Sequence, residues 1–86
     1  MKAEVFSRDN CPFCVMAKTL LEKREIDFEV LDATAMREAL IERVTKDTGV
    51  APRTVPQIYL DGQYIGGYDN LVEYFNKLDA RQADGA

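Results

Sequence analysis

The sequence predicts an α/β domain of order β-α-β-α-β-β-α, a four-stranded mixed sheet flanked by three helices. Short apolar runs of strand period alternate with longer stretches of helical period, which is the pattern of a sheet covered by helices. Asp61-Gly62 joins the last two strand-like runs and is the strongest short hairpin signal available. No repeat, linker or low-complexity segment interrupts the 86 residues, so one small domain is expected. Residues 1–79 carry the pattern, and residues 80–86 read as a frayed tail with nothing to bury.

Ala3 to Ser7 contains Val5 and Phe6 and reads as the first strand, stopped by the polar "SRDN". From Pro12 to Arg24 the period turns helical, with Cys14, Ala17 and Leu21 on one face and Lys18, Glu22 and Lys23 on the other. Ile26, Phe28 and Val30 alternate with Asp27 and Glu29, a strand signature. A second helix is expected from about Thr34, a candidate N-cap, with Met36, Leu40, Ile41 and Val44 on its apolar face. Gly49 suits its C-cap, and Pro52 forbids its continuation. The run "VPQIYLDGQYIGG" reads as two antiparallel strands, and Asp69 as the cap of a last helix whose Leu71, Val72, Phe75 and Leu78 point inward. The first β-α-β unit should place its strands parallel through a right-handed crossover.

Composition narrows the function. A net charge of −4 opposes non-specific nucleic-acid binding, which needs a basic face. No apolar run approaches the ~20 residues of a membrane span, and "MKAEVFSRDN" lacks the apolar stretch of a secretory signal. A cytoplasmic setting is expected, where disulfides are seldom structural.

The only two cysteines, Cys11 and Cys14, stand in "SRDNCPFCVMAK". As a structural clasp they would close a four-residue loop that the chain-entropy model values at about 2 kcal/mol, tying no distant elements together. As a zinc site they need four ligands, and with no histidine the others must be carboxylates or come from a second chain. As a redox pair they suit their place. Cys11 begins the first helix, where free N–H groups and the helix dipole favour an anion. Pro12 falls at the first helical position, and Arg8 adds positive charge nearby. A Cys11 pKa below the free value of ~8.5 is expected. Cys14, one turn further in on the apolar face, should be more buried and less acidic. Such unequal thiols suit exchange, one attacking a disulfide and the other resolving it.

With "CPFC", "TVPQIYLDG", "IGGYDN" and the basic residue before the first cysteine, in that order, the sequence resembles the glutaredoxins of the thioredoxin-like fold from Val5 to about Leu78. The resemblance implies that Cys11 is the nucleophile and Cys14 the resolving cysteine, and that Val55-Pro56 is a cis peptide facing them. A cis turn would leave the Val55 N–H and C=O free to pair with a bound thiol peptide.

The resemblance also implies a glutathione groove. Arg8 and Gln57 would lie toward the glycine end, the Val55 backbone would hold the cysteinyl part, and Asp69 and Asn70 the γ-glutamyl end. Thr54, Pro56, Gly67, Tyr68 and the ring of Phe13 complete the implied site. Gly66-Gly67 would let the groove wall approach the ligand, and the last helix would receive the γ-glutamyl carboxylate on its N–H groups. Arg37 could reach the glycyl carboxylate, but reads better as a solvated surface side chain. The chain departs from the usual pattern in Phe13 for Tyr, Arg8 for Lys and Asn70 for a second Asp, the last removing a charge from the γ-glutamyl site.

The implied activity is glutathione-dependent reduction of protein disulfides and glutathione mixed disulfides. Glutathione is then a co-substrate, with no tightly bound cofactor and no metal. Implied partners are disulfide-bearing proteins, ribonucleotide reductase among them, with no nucleic acid, no membrane and a monomeric state. Two alternatives stand beside it: a redoxin fed by thioredoxin reductase, and a non-enzymatic iron-sulfur or zinc carrier.

Overall fold

The computed structural model describes residues 1–84; Gly85 and Ala86, the end of the expected tail, lie outside the described residues. The elements are β1 (Lys2–Ser7), α1 (Pro12–Lys23), β2 (Asp27–Asp32), α2 (Arg37–Thr48), β3 (Gln57–Leu60), β4 (Gln63–Gly66) and α3 (Tyr68–Asp84). They form one four-stranded sheet of order β2-β1-β3-β4. β1 pairs parallel with β2 and antiparallel with β3, and β3 pairs antiparallel with β4. The predicted architecture is the observed one. Among the described residues no helix is long and apolar enough to cross a membrane.

Strand alternation sends neighbouring residues of β1 to opposite faces, and two cores result. Val5 joins Ala17, Leu21, Ile58, Leu71 and Phe75 in a core beneath α1 and α3. Phe6 joins Leu40, Val44 and Tyr59 in a second core beneath α2. The β3–β4 hairpin turns at Asp61 (φ 49°) and Gly62 (φ 81°), the pair of left-handed residues that a tight primed turn needs. Its register shifts at Ile58/Tyr59, so that Ile58 faces Gly66.

Several boundaries differ from the sequence reading. Thr34 does not cap α2. The Asp32 carboxylate accepts from the N–H groups of Thr34 and Ala35 at 2.9 and 3.1 Å, making a turn that delays the helix to Arg37. Met36 accordingly lies outside α2 and is exposed. Gly49 ends that helix as expected, in the left-handed conformation (φ 80°) with its N–H on Thr45 C=O. Val30, on the edge strand β2, is 50 % exposed because it lines an open cleft with Cys14, Val15 and Lys18 of α1.

Asp69 does not cap α3 either; it lies inside the first turn. The cap position falls to Gly67, whose C=O accepts from Leu71 N–H, while Asn70 Oδ1 accepts from Gly67 N–H at 3.0 Å. This is the reciprocal half of a capping box, made by a residue at the third helical position. The same helix runs on to Asp84. Asp79 is anchored there by a two-pronged pair with Arg24 (2.7 and 3.0 Å), whose guanidinium also sits 4.3 Å above the Phe75 ring.

Candidate functional site

Cys11 occupies the N-cap of α1 in extended conformation (φ −117°, ψ 99°), and its Sγ accepts from the Cys14 N–H at 3.2 Å. This is the ordinary contact of a cap side chain with the N–H of the third helical residue, and Pro12 at the first position removes no donor that the cap uses. Negative charge on Cys11 Sγ would therefore meet a backbone donor and the positive end of the helix dipole. Cys14 is 1 % exposed on the inward face of α1 and is joined to Cys11 by a disulfide. The unequal burial of the two sulfurs is as the helical period predicts.

Across the chain, the Val55 carbonyl oxygen lies 3.8 Å from Cys11 Sγ. Val55-Pro56 is cis, as the resemblance implies, and Pro56 is buried. Among the described residues Val55 pairs its N–H and C=O with no other backbone group, because β3 begins only at Gln57.

The remaining expected residues converge on one groove of about 360 Å³ beside the cysteines. Thr54, Val55, Pro56 and Gln57 form one wall, and Gly67, Tyr68, Asp69 and Asn70 the other. Phe13 closes the mouth, 54 % exposed and tilted over Tyr68 at 6.1 Å between ring centres. Cys11 and Cys14 themselves open on a larger cleft of about 990 Å³ on the β2 side, where Arg8 also lies. Arg8 reaches a third cavity of about 540 Å³ together with Arg37 and Arg53, and Thr54 and Val55 are the wall it shares with the groove.

Two of the expected ligand side chains are engaged within the protein. Gln57, 4 % exposed, donates through Nε2 to Thr54 C=O at 2.9 Å and accepts from the Tyr64 hydroxyl on Oε1. Asn70 Oδ1 holds the Gly67 N–H, and a Cβ placed on Gly66 (φ 117°) would collide with that same side chain at 2.5 Å. Gly66 is thus demanded by its left-handed φ and by Asn70. Asp69 is exposed and without an ion pair among the described residues.

Tyr64 lines the groove as well, and a polar lattice runs on from it. Tyr64 meets the Tyr59 ring edge-on at 5.3 Å, and the Tyr59 hydroxyl donates to Asp47 at 2.7 Å. Arg43 lies 3.6 Å over the Tyr59 ring and grips Glu4 with both prongs, at 2.9 and 3.0 Å. Burial pushes the Tyr64 phenol up from its ordinary value, and burial together with the Asp47 bond does the same to Tyr59. The Arg43 hydrogen bonds hold the Glu4 carboxyl below its ordinary value, against a smaller opposing effect of burial.

Sequence reasoning missed Arg53 and Tyr64 and set Arg37 aside as solvated. Arg53 adjoins the "TVP" run, and strict hairpin pairing from Asp61-Gly62 would have set Tyr64 opposite Tyr59, diagonal to Gln57. Arg37 carried no such signal, since only the packing of α2 brings it beside Arg8.

The family profile described as Glutaredoxin matches residues 3–65. Glutaredoxin 3 of Escherichia coli strain K12 is 38 % identical over 81 residues, covering 91 % of this chain and 86 % of its own. The structure of reduced E. coli glutaredoxin superposes with a TM-score of 0.72 at 34 % identity, over 92 % of this chain and 99 % of the other. A buckwheat glutaredoxin–glutathione complex superposes with a TM-score of 0.71 at 26 % identity, over 87 % and 68 %. These matches favour neither the redoxin fed by thioredoxin reductase nor the metal or cluster carrier.

Proposed function

The chain belongs to the glutaredoxin family and is a glutathione-dependent dithiol–disulfide oxidoreductase; from that premise we propose that Cys11 is the attacking thiol, Cys14 the resolving thiol, and the 360 Å³ groove the glutathione site. The observation that carries the assignment is the placement of Cys11 Sγ. It accepts a first-turn N–H of α1 while Cys14 is buried one turn behind it. Those surroundings stabilise thiolate at Cys11 and thiol at Cys14.

With a glutathione mixed disulfide, the Cys11 thiolate attacks the glutathionyl sulfur and the partner thiolate leaves and takes up a proton. A second glutathione thiolate then attacks the glutathionyl sulfur held on Cys11, releasing glutathione disulfide and restoring the Cys11 thiolate. With a protein disulfide, Cys11 forms the mixed disulfide, and Cys14 gives up its proton and attacks Cys11 Sγ, displacing the protein thiolate, which takes a proton up. Two glutathione molecules then reduce the Cys11–Cys14 bond.

In this reading Val55 offers its unpaired N–H and C=O to the cysteinyl part of glutathione. Phe13 and Tyr68 cover it, and Thr54, Pro56, Gln57 and Gly67 shape the groove around it. Arg8, with Arg37 and Arg53 beside it, receives the glycyl carboxylate, for which guanidinium forks are well shaped. Asp69 and the free amide end of Asn70 receive the γ-glutamyl end. That the groove takes glutathione is supported by the glutathione complex among the structural neighbours. We further assign the activity to residues 1–79 of a cytoplasmic monomer with no tightly bound cofactor, and ribonucleotide reductase to its protein substrates.

The test is a pair of variants. Cys14→Ser should keep reduction of a small glutathione mixed disulfide while reduction of a protein disulfide falls by an order of magnitude or more, roughly, as expected when the resolving thiol is lost. Cys11→Ser should lose both. Activity of either kind in Cys11→Ser overturns the assignment.

A further inference from the structure

We propose that Tyr64 is a positioning residue: its hydroxyl orients the Gln57 amide, and through that amide sets the Thr54–Val55 wall of the groove against Cys11. The inference rests on the reading of that groove as the glutathione site.

The chain of bonds has a fixed direction. Thr54 C=O can only accept, so Gln57 must present Nε2 to it, and at 2.9 Å it does. Gln57 Oε1 is then turned toward β4, and the Tyr64 hydroxyl must donate to it. A phenol keeps that proton at neutral pH, and burial moves Tyr64 further in the same direction. Gln57 is 4 % exposed, so water offers Oε1 little replacement if the hydroxyl is removed. Without the donor the amide must either carry an unpaired oxygen or swing toward solvent and release Thr54. Thr54 precedes Val55, whose carbonyl oxygen stands 3.8 Å from Cys11 Sγ, and both residues line the groove. Tyr64 itself packs T-shaped against the Tyr59 ring.

Tyr64→Phe keeps the ring and removes only the donor. The apparent KM for a glutathionylated peptide should rise about fivefold, the size of one net hydrogen bond, with kcat within about twofold. Gln57→Met keeps the volume and removes both ends of the amide, so adding Tyr64→Phe to it should raise KM no further. Tyr59→Phe is the structural control: it loses the Asp47 bond and lowers the thermal midpoint, but leaves KM unchanged. An unchanged KM in Tyr64→Phe overturns the proposal, as does an equal rise in the Gln57→Met background. Asp69→Ala separates this role from the groove reading. A KM that Asp69→Ala does not move overturns the groove and this proposal together. A KM raised by Asp69→Ala but not by Tyr64→Phe overturns the positioning role alone.

Discussion

Against one face of the sheet, α1 and α3 pack a core of aliphatic side chains around Val5, Leu21, Ile58 and Leu71, closed by Phe75. Against the other, α2 packs around Phe6 and Tyr59, and the partners are joined by directed bonds: Arg43 to Glu4, Tyr59 to Asp47, Tyr64 to Gln57. The aliphatic face holds its part of the site mainly by burial, with the Arg24–Asp79 pair at its rim, and carries Cys14 inward on the same stripe as Ala17 and Leu21. The hydrogen-bonded face ends in Thr54, on the wall of the groove. Dispersion contacts are non-directional and absorb a small shift, whereas a hydrogen bond that is misaligned is largely lost. Burial suffices to keep a thiol away from water. A backbone wall facing a ligand needs direction as well.

The sharpest way to break this comparison is to damage each face and ask which function follows. Leu21→Ala, at a side chain with no exposure, should destabilise the protein by about 2–5 kcal/mol in urea unfolding while KM for a glutathionylated peptide stays unchanged. A KM that rises in step with the lost stability would show that the aliphatic face also positions the groove.

Glu4→Gln should cost less, on the order of 1 kcal/mol at neutral pH, because the pair with Arg43 is only half-buried. It should also alter the pH profile. The folded-state pKa of Glu4 lies below the ordinary 4.5, so the folded protein binds fewer protons than the unfolded chain in that range. The stabilisation is therefore complete above the ordinary value and is lost as pH falls through the lowered one. Wild-type denaturation midpoints followed downward from pH 5 should fall more steeply than those of Glu4→Gln; parallel curves would remove Glu4 from the account. Asp79, held low by Arg24, acts in the same direction in both proteins and cancels from the difference.

The smallest effect belongs to Glu73→Ala. Its pair with Lys77 is exposed on both sides, lies outside both cores, and should be worth under about 0.5 kcal/mol, with no change in KM.

Much of this arrangement follows from short-range pattern. Cys11 at a helix start, Pro12 behind it and Cys14 one turn inward are consequences of helical period and of the missing proline N–H, both local. The Asp61-Gly62 turn and the order of elements are local too. Two departures from the reading are themselves short-range, made by side chains two or three residues away that competed for the same helix end. Thr34 lost the cap of α2 to a turn organised by the Asp32 carboxylate, and Asp69 lost the cap of α3 to Asn70 reaching back to Gly67. Gln57 lines the groove, but the bonds of its amide to Thr54 and Tyr64 could not be read from the string.

The sequence by itself determined the fold class, the redox character of Cys11 and Cys14 and, through its resemblance, the stretches that meet at the groove. Apolar period and helix-end chemistry act within a few residues, and a linear string displays them. Tertiary structure alone decided that Arg8, Arg37 and Arg53 share one cavity, that directed bonds are concentrated on the α2 face of the sheet, and that Tyr64 meets Gln57 on the lining of the groove. Those facts depend on which side chains a sheet register and a packed helix bring within 3 Å or so of one another, the range over which a hydrogen bond forms.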